Sequence, residues 1–219
     1  MRNAYHEQLD ELHAELKEMG VLCEQAVSFA VKAASTGSAL MGEKAKEADS
    51  RIDRKERDIE ALCMKLLLKQ QPVAGELRDI SAALKMITDL ERIGDQASDI
   101  AEIARFTQGN NGSAAADLDR MAANVTGMVN DSITAFIQRD LNLAREIIAR
   151  DDAVDELFDQ IKSELIVAIA ADAARGEIWL DMLMVAKYLE RIGDHATNVA
   201  EWAEYAITGK RSKNGKPQE

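Results

Sequence analysis

The sequence predicts an all-α protein built as two tandem three-helix bundles related by internal duplication, and three observations carry that prediction. Apolar residues recur at helical spacing almost from end to end. Residues that favour strands or break helices are scarce: 4% of the chain is aromatic and proline occurs only at Pro72 and Pro217, while Ala, Leu, Glu and Lys abound. One string is also written twice. Leu-Glu-Arg-Ile-Gly-Asp-Gln-Ala occupies 90–97 and Leu-Glu-Arg-Ile-Gly-Asp-His-Ala occupies 189–196, identical at seven of eight positions at an offset of 99.

In chain order the pattern resolves into six helices. Helix one covers about 4–35, helix two 40–70 and helix three 73–107. Pro72 stands just inside the start of helix three, where its missing N–H is not needed. The break Thr107-Gln-Gly-Asn-Asn-Gly-Ser113 is made of turn formers without an apolar residue. Helix four then covers 116–139, helix five 141–174 and helix six 177–208, with Gly176 and Gly209 placed to close the last two. The expected division is a first repeat over 1–109, a second over 114–209 and a disordered polar tail over 210–219. Helices two and five align at an offset of 102, which pairs Asp49 with Asp151, Ile52 with Val154, Asp53 with Asp155 and Ile59 with Ile161. Helices one and four align more faintly, Leu16 with Val125 and Met19 with Met128. Short breaks imply antiparallel neighbours, hence two bundles able to share a core.

Composition narrows the function. At 30% charged, with no apolar run near ~18 residues, the chain has no expected transmembrane helix. Its polar N-terminus is not a secretory signal. Cys23 and Cys63 fit no disulfide framework or metal spacing and read as reduced core residues of a cytoplasmic protein. A net charge of −12 disfavours nucleic acid and anionic membrane surfaces as partners. There is no G-x-x-x-x-G-K-S/T loop, no Glu-x-x-His and no Ser/His/Asp arrangement, so catalysis is not expected. His6, His13 and His195 read as solvated.

The residues with chemistry in them lie in helices three and six. Val73, Leu77, Ile80, Leu84 and Ile87 fall within ~40° of one line along helix three, and that line continues into Glu91, Asp95, Asp99 and Glu102. In helix six Trp179, Leu183 and Ala186 lead into Glu190, Asp194, Asn198 and Glu201. Carboxylates on adjacent turns repel one another, and Arg92 and Arg191 point about 100° away. A hard cation such as Mg²⁺, Mn²⁺ or iron would offset the repulsion, with Asp49 and Asp53, or Asp151 and Asp155, supplying further oxygens from the adjacent helix. The alternative is a solvated acidic face, since Ile93, Ala97 and Ala101 mark a rotated apolar line. Gly94 and Gly193 stand mid-helix, where close packing is the preferred reason and approach of a neighbouring backbone at the site the other. Arg78, beside Asp79, is expected to form an ion pair within its bundle.

Several of these strings resemble a known family. Leu-Lys-Gln-Gln-Pro-Val-Ala at 68–74, Glu-Leu-Arg-Asp-Ile at 76–80 and Leu-Glu-Arg-Ile-Gly-Asp at 90–95 are similar to the first repeat of PhoU proteins. Leu-Glu-Arg-Ile-Gly-Asp-His-Ala-Thr-Asn-Val-Ala-Glu at 189–201 is similar to the second, and the resemblance covers about 5–209. It implies two three-helix bundles and, at Glu91, Asp95, Glu190 and Asp194, ligands to iron, zinc, manganese or magnesium, supported by Asp49, Asp53, Asp151 and Asp155. Asn198 stands opposite Asp99, and Phe158 opposite Glu56, so a second site would be weaker or take a different ion. The family acts between the ATPase subunit of a phosphate ABC transporter and a sensor histidine kinase, restraining phosphate-starvation genes when phosphate is plentiful. The resemblance therefore implies a cytoplasmic, metal-binding signalling adaptor and negative regulator, expected as a homodimer. A helical-bundle metal-storage or redox protein is the alternative, and turnover with Fe²⁺ would separate the two.

Overall fold

In the computed structural model the residues described are 2–70, 73–104, 113–213 and 216–217. Six helices account for most of them: α1 (Arg2–Thr36), α2 (Ala39–Gln70), α3 (Ala74–Ile103), α4 (Ser113–Gln138), α5 (Leu141–Ala171) and α6 (Gly176–Thr208). The expected six helices are therefore present, with the duplicated motif on α3 and α6. Pro72, most of the 107–113 break and the side chain of His6 lie outside the described residues.

Local chemistry sets the helix ends. Gly37 closes α1 at φ 66°, its N–H donating to the Ala33 carbonyl at 2.8 Å. Val73 precedes α3 and donates its N–H to the Glu76 carboxylate at 3.0 Å, one half of a capping box. Asp140 caps α5, its Oδ1 accepting from the N–H groups of Asn142 and Leu143, both at 3.0 Å. Gly209 ends α6 at φ 77°, as its position predicted. Gly176 does not close helix five. That helix ends at Ala171, a 3-10 turn spans Ala173–Arg175, and Gly176 opens α6 with ordinary helical dihedrals. The three-residue turn already redirects the chain, so no left-handed residue is needed there.

Helices α1–α3 pack on one another, as do α4–α6, and the two bundles meet through α3 against α6 and α1 against α4. Both meetings are antiparallel. Asp89 near the middle of α3 accepts from Asn198 at 3.1 Å, while Arg139 joins Asp79 near the start of α3 to the Ala206 carbonyl near the end of α6. Glu24 accepts from Asn130 at 2.8 Å, and Gly20 lies under Ile133. The buried residues of both bundles form one continuous core, which includes Leu16, Ile52, Ile93, Val125, Ile161 and Ile192. Cys23 and Cys63 are buried and unbridged.

The buried line along α3 is not the expected one. Val73 and Leu77 are exposed and Leu84 half-buried, whereas Ile80, Ala83, Ile87, Leu90, Gly94, Ala97, Ala101 and Ala104 are all buried. Those positions alternate steps of three and four, the 3.5-residue period of a supercoiled seam. The acidic stripe instead takes consecutive steps of four from Ile87 through Glu91 and Asp95 to Asp99. Each such step turns about 40° past the axis, so the acids leave the seam and settle half-buried along its edge.

Other expectations for polar side chains also change. His13 is half-buried, edge-on to Phe136, and burial lowers its pKa. His195 pairs through Nδ1 with Asp89 at 2.9 Å across the bundle interface. The ion pair at the start of α3 belongs to Asp79, which takes Arg139 at 2.9 Å, while Arg78 lies against Gly209 with its Nε buried and unbonded. In the tail, Ser212–Lys213 pairs antiparallel with Lys216–Pro217. Arg211 anchors that tail, its guanidinium 4.0 Å from the Trp202 ring and bonded to Glu201 and Asn198.

Candidate functional site

In the first repeat the site begins at Gly94. A Cβ there would stand 2.7 Å from Asp49 Oδ1 and 3.0 Å from Ile52 Cδ1, so α2 lays its carboxylate directly over the α3 backbone. The glycine therefore serves close packing, and what approaches it is side chain, not a neighbouring backbone. Asp49 Oδ1 is buried without a hydrogen-bond partner. Burial, then Asp53, Asp95 and Asp99, push the Asp49 carboxyl up to about 6 against a bond from Ser98. Burial first and Asp95 second raise Glu91, with Glu56 and Asp53 adding to the effect. Asp99 is raised by burial and then by Asp95 and Glu102. Arg92 does not point away: it bends back to Asp95 at 2.9 Å and Glu91 at 3.5 Å.

The second repeat has the same plan, more loosely built. A Cβ on Gly193 would meet Val154 Cγ1 at 3.2 Å and Asp151 Oδ1 at 3.6 Å. Burial, Asp194 and Asp155 push the Asp151 carboxyl to about 6, with Thr197 opposing. Asp155 and Asp194 are both raised by burial and then by Glu190, while Lys187 holds Glu190 as an ion-pair partner. Asp49, Asp53, Glu91 and Asp95 therefore share one acidic surface, and Asp151, Asp155, Glu190 and Asp194 another. Asp99 borders the first, between Asp95 and Arg191 of α6. Asn198 is drawn elsewhere, donating to Asp89 and accepting from Arg211 at 3.3 Å.

Among the described residues, no three acidic, imidazole or thiol side chains stand close enough to hold an ion without moving. The donor chemistry nonetheless fits a hard cation. Every candidate offers oxygen, Asp49 Oδ1 is an acceptor with nothing bonded to it, and burial, then the neighbouring carboxylates, raise Asp49 and Asp151.

Sequence reasoning missed the cleft beside the second acidic surface. About 1180 Å³ in volume, it lies between α5 and α6 and adjoins Asp151 and Asp194. Its floor holds Glu204, 3% exposed and bonded to Arg145 at 2.9 Å, and Glu201, 2% exposed and bonded to Arg211. A signal existed in the sequence: at the offsets of 102 and 99, Glu43 and Arg105 stand where Arg145 and Glu204 stand, with the charges exchanged.

The PhoU domain family model matches this chain twice, over 16–104 and 118–203, one match for each repeat. The chain belongs to the PhoU family. Among its relatives, the phosphate-specific transport system accessory protein PhoU homolog of Clostridium acetobutylicum is 37% identical over 212 residues, 96% of this chain and 97% of that protein. The Caulobacter vibrioides protein of the same description is 34% identical over 217 residues, 98% and 94% of the two chains. The crystal structure of PhoU from Pseudomonas aeruginosa superposes with a TM-score of 0.86 at 31% identity, covering 94% of this chain and 99% of that one. The phosphate transport system regulatory protein PhoU from Streptococcus pneumoniae gives 0.85 at 25%, covering 95% and 99%. No described helix is long and apolar enough to cross a membrane.

Proposed function

We propose that this chain is an accessory regulator of phosphate transport that works by binding other proteins and carries no catalytic activity of its own. The observation that carries the reading is the match of both repeats, along nearly the whole chain, to relatives described as phosphate-specific transport accessory proteins. Its partners on this reading are the ATPase subunit of a phosphate ABC transporter and a phosphate-responsive sensor histidine kinase. It acts in the cytoplasm as a negative regulator of phosphate uptake and phosphate-starvation genes, pairing with a second copy of itself. Titrating the purified chain against each partner tests this; no association with either would overturn it.

The acidic surfaces belong to the same proposal. Glu91 and Asp95 with Asp49 and Asp53, and Glu190 and Asp194 with Asp151 and Asp155, would hold a divalent or trivalent cation, of iron, zinc, manganese or magnesium, with Asp99 and Asn198 at the margins. The ion would supply positive charge that lets crowded carboxylates stay ionised beside a glycine backbone. Replacing Glu91, Asp95, Glu190 and Asp194 with Ala should abolish metal retained through chelator-free purification. Wild-type metal content in that variant would refute the assignment.

A further inference from the structure

We propose that the outer groove between α2 and α3 docks a basic amphipathic segment of a partner protein, one that presents apolar side chains beside lysines or arginines. This rests on reading the chain as a protein that acts through partners, and it names one surface and the chemistry of its occupant.

The groove has an apolar end and an acidic end. Where α2 finishes and α3 starts, Met64, Leu68, Val73 and Leu77 are 46%, 78%, 68% and 48% exposed. All four stand within two helical turns of the α2–α3 connection, so exposed apolar side chains are gathered at that end of the hairpin. Apolar residues scattered singly over a surface need no explanation, but four gathered at one tip mark a place that something covers. Stepping back along α2 by fours from Met64 gives Glu60 and then Glu56, each step turning about 40°, from the exposed face to the half-buried edge beside Glu91. Glu60 is exposed and Glu56 half-buried. From there the negative field runs on: Glu56 is raised by burial, then by Glu60 and Asp53, and Glu56 in turn acts on Glu91. Arg57 and Arg92 flank the run, and Arg92 is already bonded to Glu91 and Asp95.

The complement of such a groove is apolar at one end and cationic at the other. A second copy of this chain, with its net charge of −12, is poorly matched to the acidic end. The other repeat supplies an internal contrast. Its tip also exposes Ile166, Val167, Leu180 and Met184. However, Phe158, Lys162 and Lys187 stand at the positions of Glu56, Glu60 and Thr88. The two ammonium groups lie over the Phe158 ring at 6.0 and 5.4 Å, so that groove is aromatic and cationic where the first is acidic. The duplicated tips thus share apolar chemistry and differ in charge.

The test uses the full chain and a labelled synthetic helical peptide of leucine and lysine, with the leucines along one face, at physiological ionic strength. Anisotropy reads affinity and hydrogen exchange reads location. The expected result is protection centred on residues 56–80 and a loss of affinity of about tenfold or more in Leu68→Ser with Val73→Ser, and in Glu56→Gln with Glu60→Gln. Ile166→Ser with Leu180→Ser should stay within about twofold of the wild type, because distant sites act independently. The proposal is overturned by absence of binding, by equal weakening from the two tip pairs, by equal binding of a leucine–glutamate peptide, or by self-association that disappears in the Leu68→Ser, Val73→Ser chain. Phosphate-starvation gene expression in a strain lacking the chain, measured alongside, tests the regulatory reading separately. Derepression there with no peptide binding removes this surface alone, and normal repression removes the regulatory reading even where the peptide binds.

Discussion

Asp49 and Asp151 occupy matching places, each laid over a glycine of the neighbouring helix, and both are raised from 3.8 to about 6. A carboxyl raised on folding stabilises the native state below its unfolded pKa, and that contribution is lost as pH climbs through the folded value. Metal-free protein should therefore lose stability from these two groups between pH 3.8 and about 6. In Asp49→Asn with Asp151→Asn that loss should be absent, so the variant's melting temperature should gain on the wild type as pH rises through the window. Parallel melting curves across it would contradict the burial of these acids. The two glycines separate by degree. Alanine at 94 gains helix propensity of about 1 kcal/mol but must displace Asp49 and the packed Ile52, at an overpacking cost of ~1–3 kcal/mol. Alanine at 193 meets its neighbours at 3.2 Å and beyond. Denaturant unfolding should show Gly94→Ala as the more destabilised of the pair.

At the scale of the helix, order and repeat were legible because Pro72, the glycine-rich break and the written-out Leu-Glu-Arg-Ile-Gly-Asp strings are local signals. The pairing of Asp49 with Asp53 beside Glu91 and Asp95 was legible for the same reason: spacing fixes a face. What periodicity could not give was the phase of the buried seam. A stripe drawn through Val73, Leu77 and Ile80 fits a straight helix as well as the seam through Ile80, Ala83 and Ile87 does, and only the partner helices choose between them. Long-range pairs were equally hidden, since nothing near His195 in the chain announces Asp89, and nothing near Arg211 distinguishes it from a tail residue. That last contact revises an expectation for the tail. Taken as a free polar segment, its loss after Gly209 would change stability by less than ~0.5 kcal/mol. With Arg211 bonded to the buried Glu201 and stacked on Trp202, both the truncation and Arg211→Ala should cost more than ~1 kcal/mol, as losing the partner of a buried charge does. Chemical denaturation of the two variants decides it.

For the whole molecule, two bundles joined antiparallel through α3 and α6 share one core, so what happens at one acidic surface bears on the stability of the entire chain. Stability gained from a bound ion grows as RT ln(1 + [L]/Kd). Chelator should lower the melting temperature and Mg²⁺ or Mn²⁺ should restore it, whereas no shift across a wide range of metal concentration would leave these carboxylates as a solvated face. The regulatory role proposed for the chain is supported separately, by the doubled PhoU match and by relatives named for phosphate transport. Its most direct test is the transcription of phosphate-starvation genes, in phosphate-rich medium, in a strain from which this chain has been deleted. Those genes should switch on despite abundant phosphate and fall silent again when the full chain is restored. Normal repression in the deleted strain, with no second copy of the gene present, would contradict it.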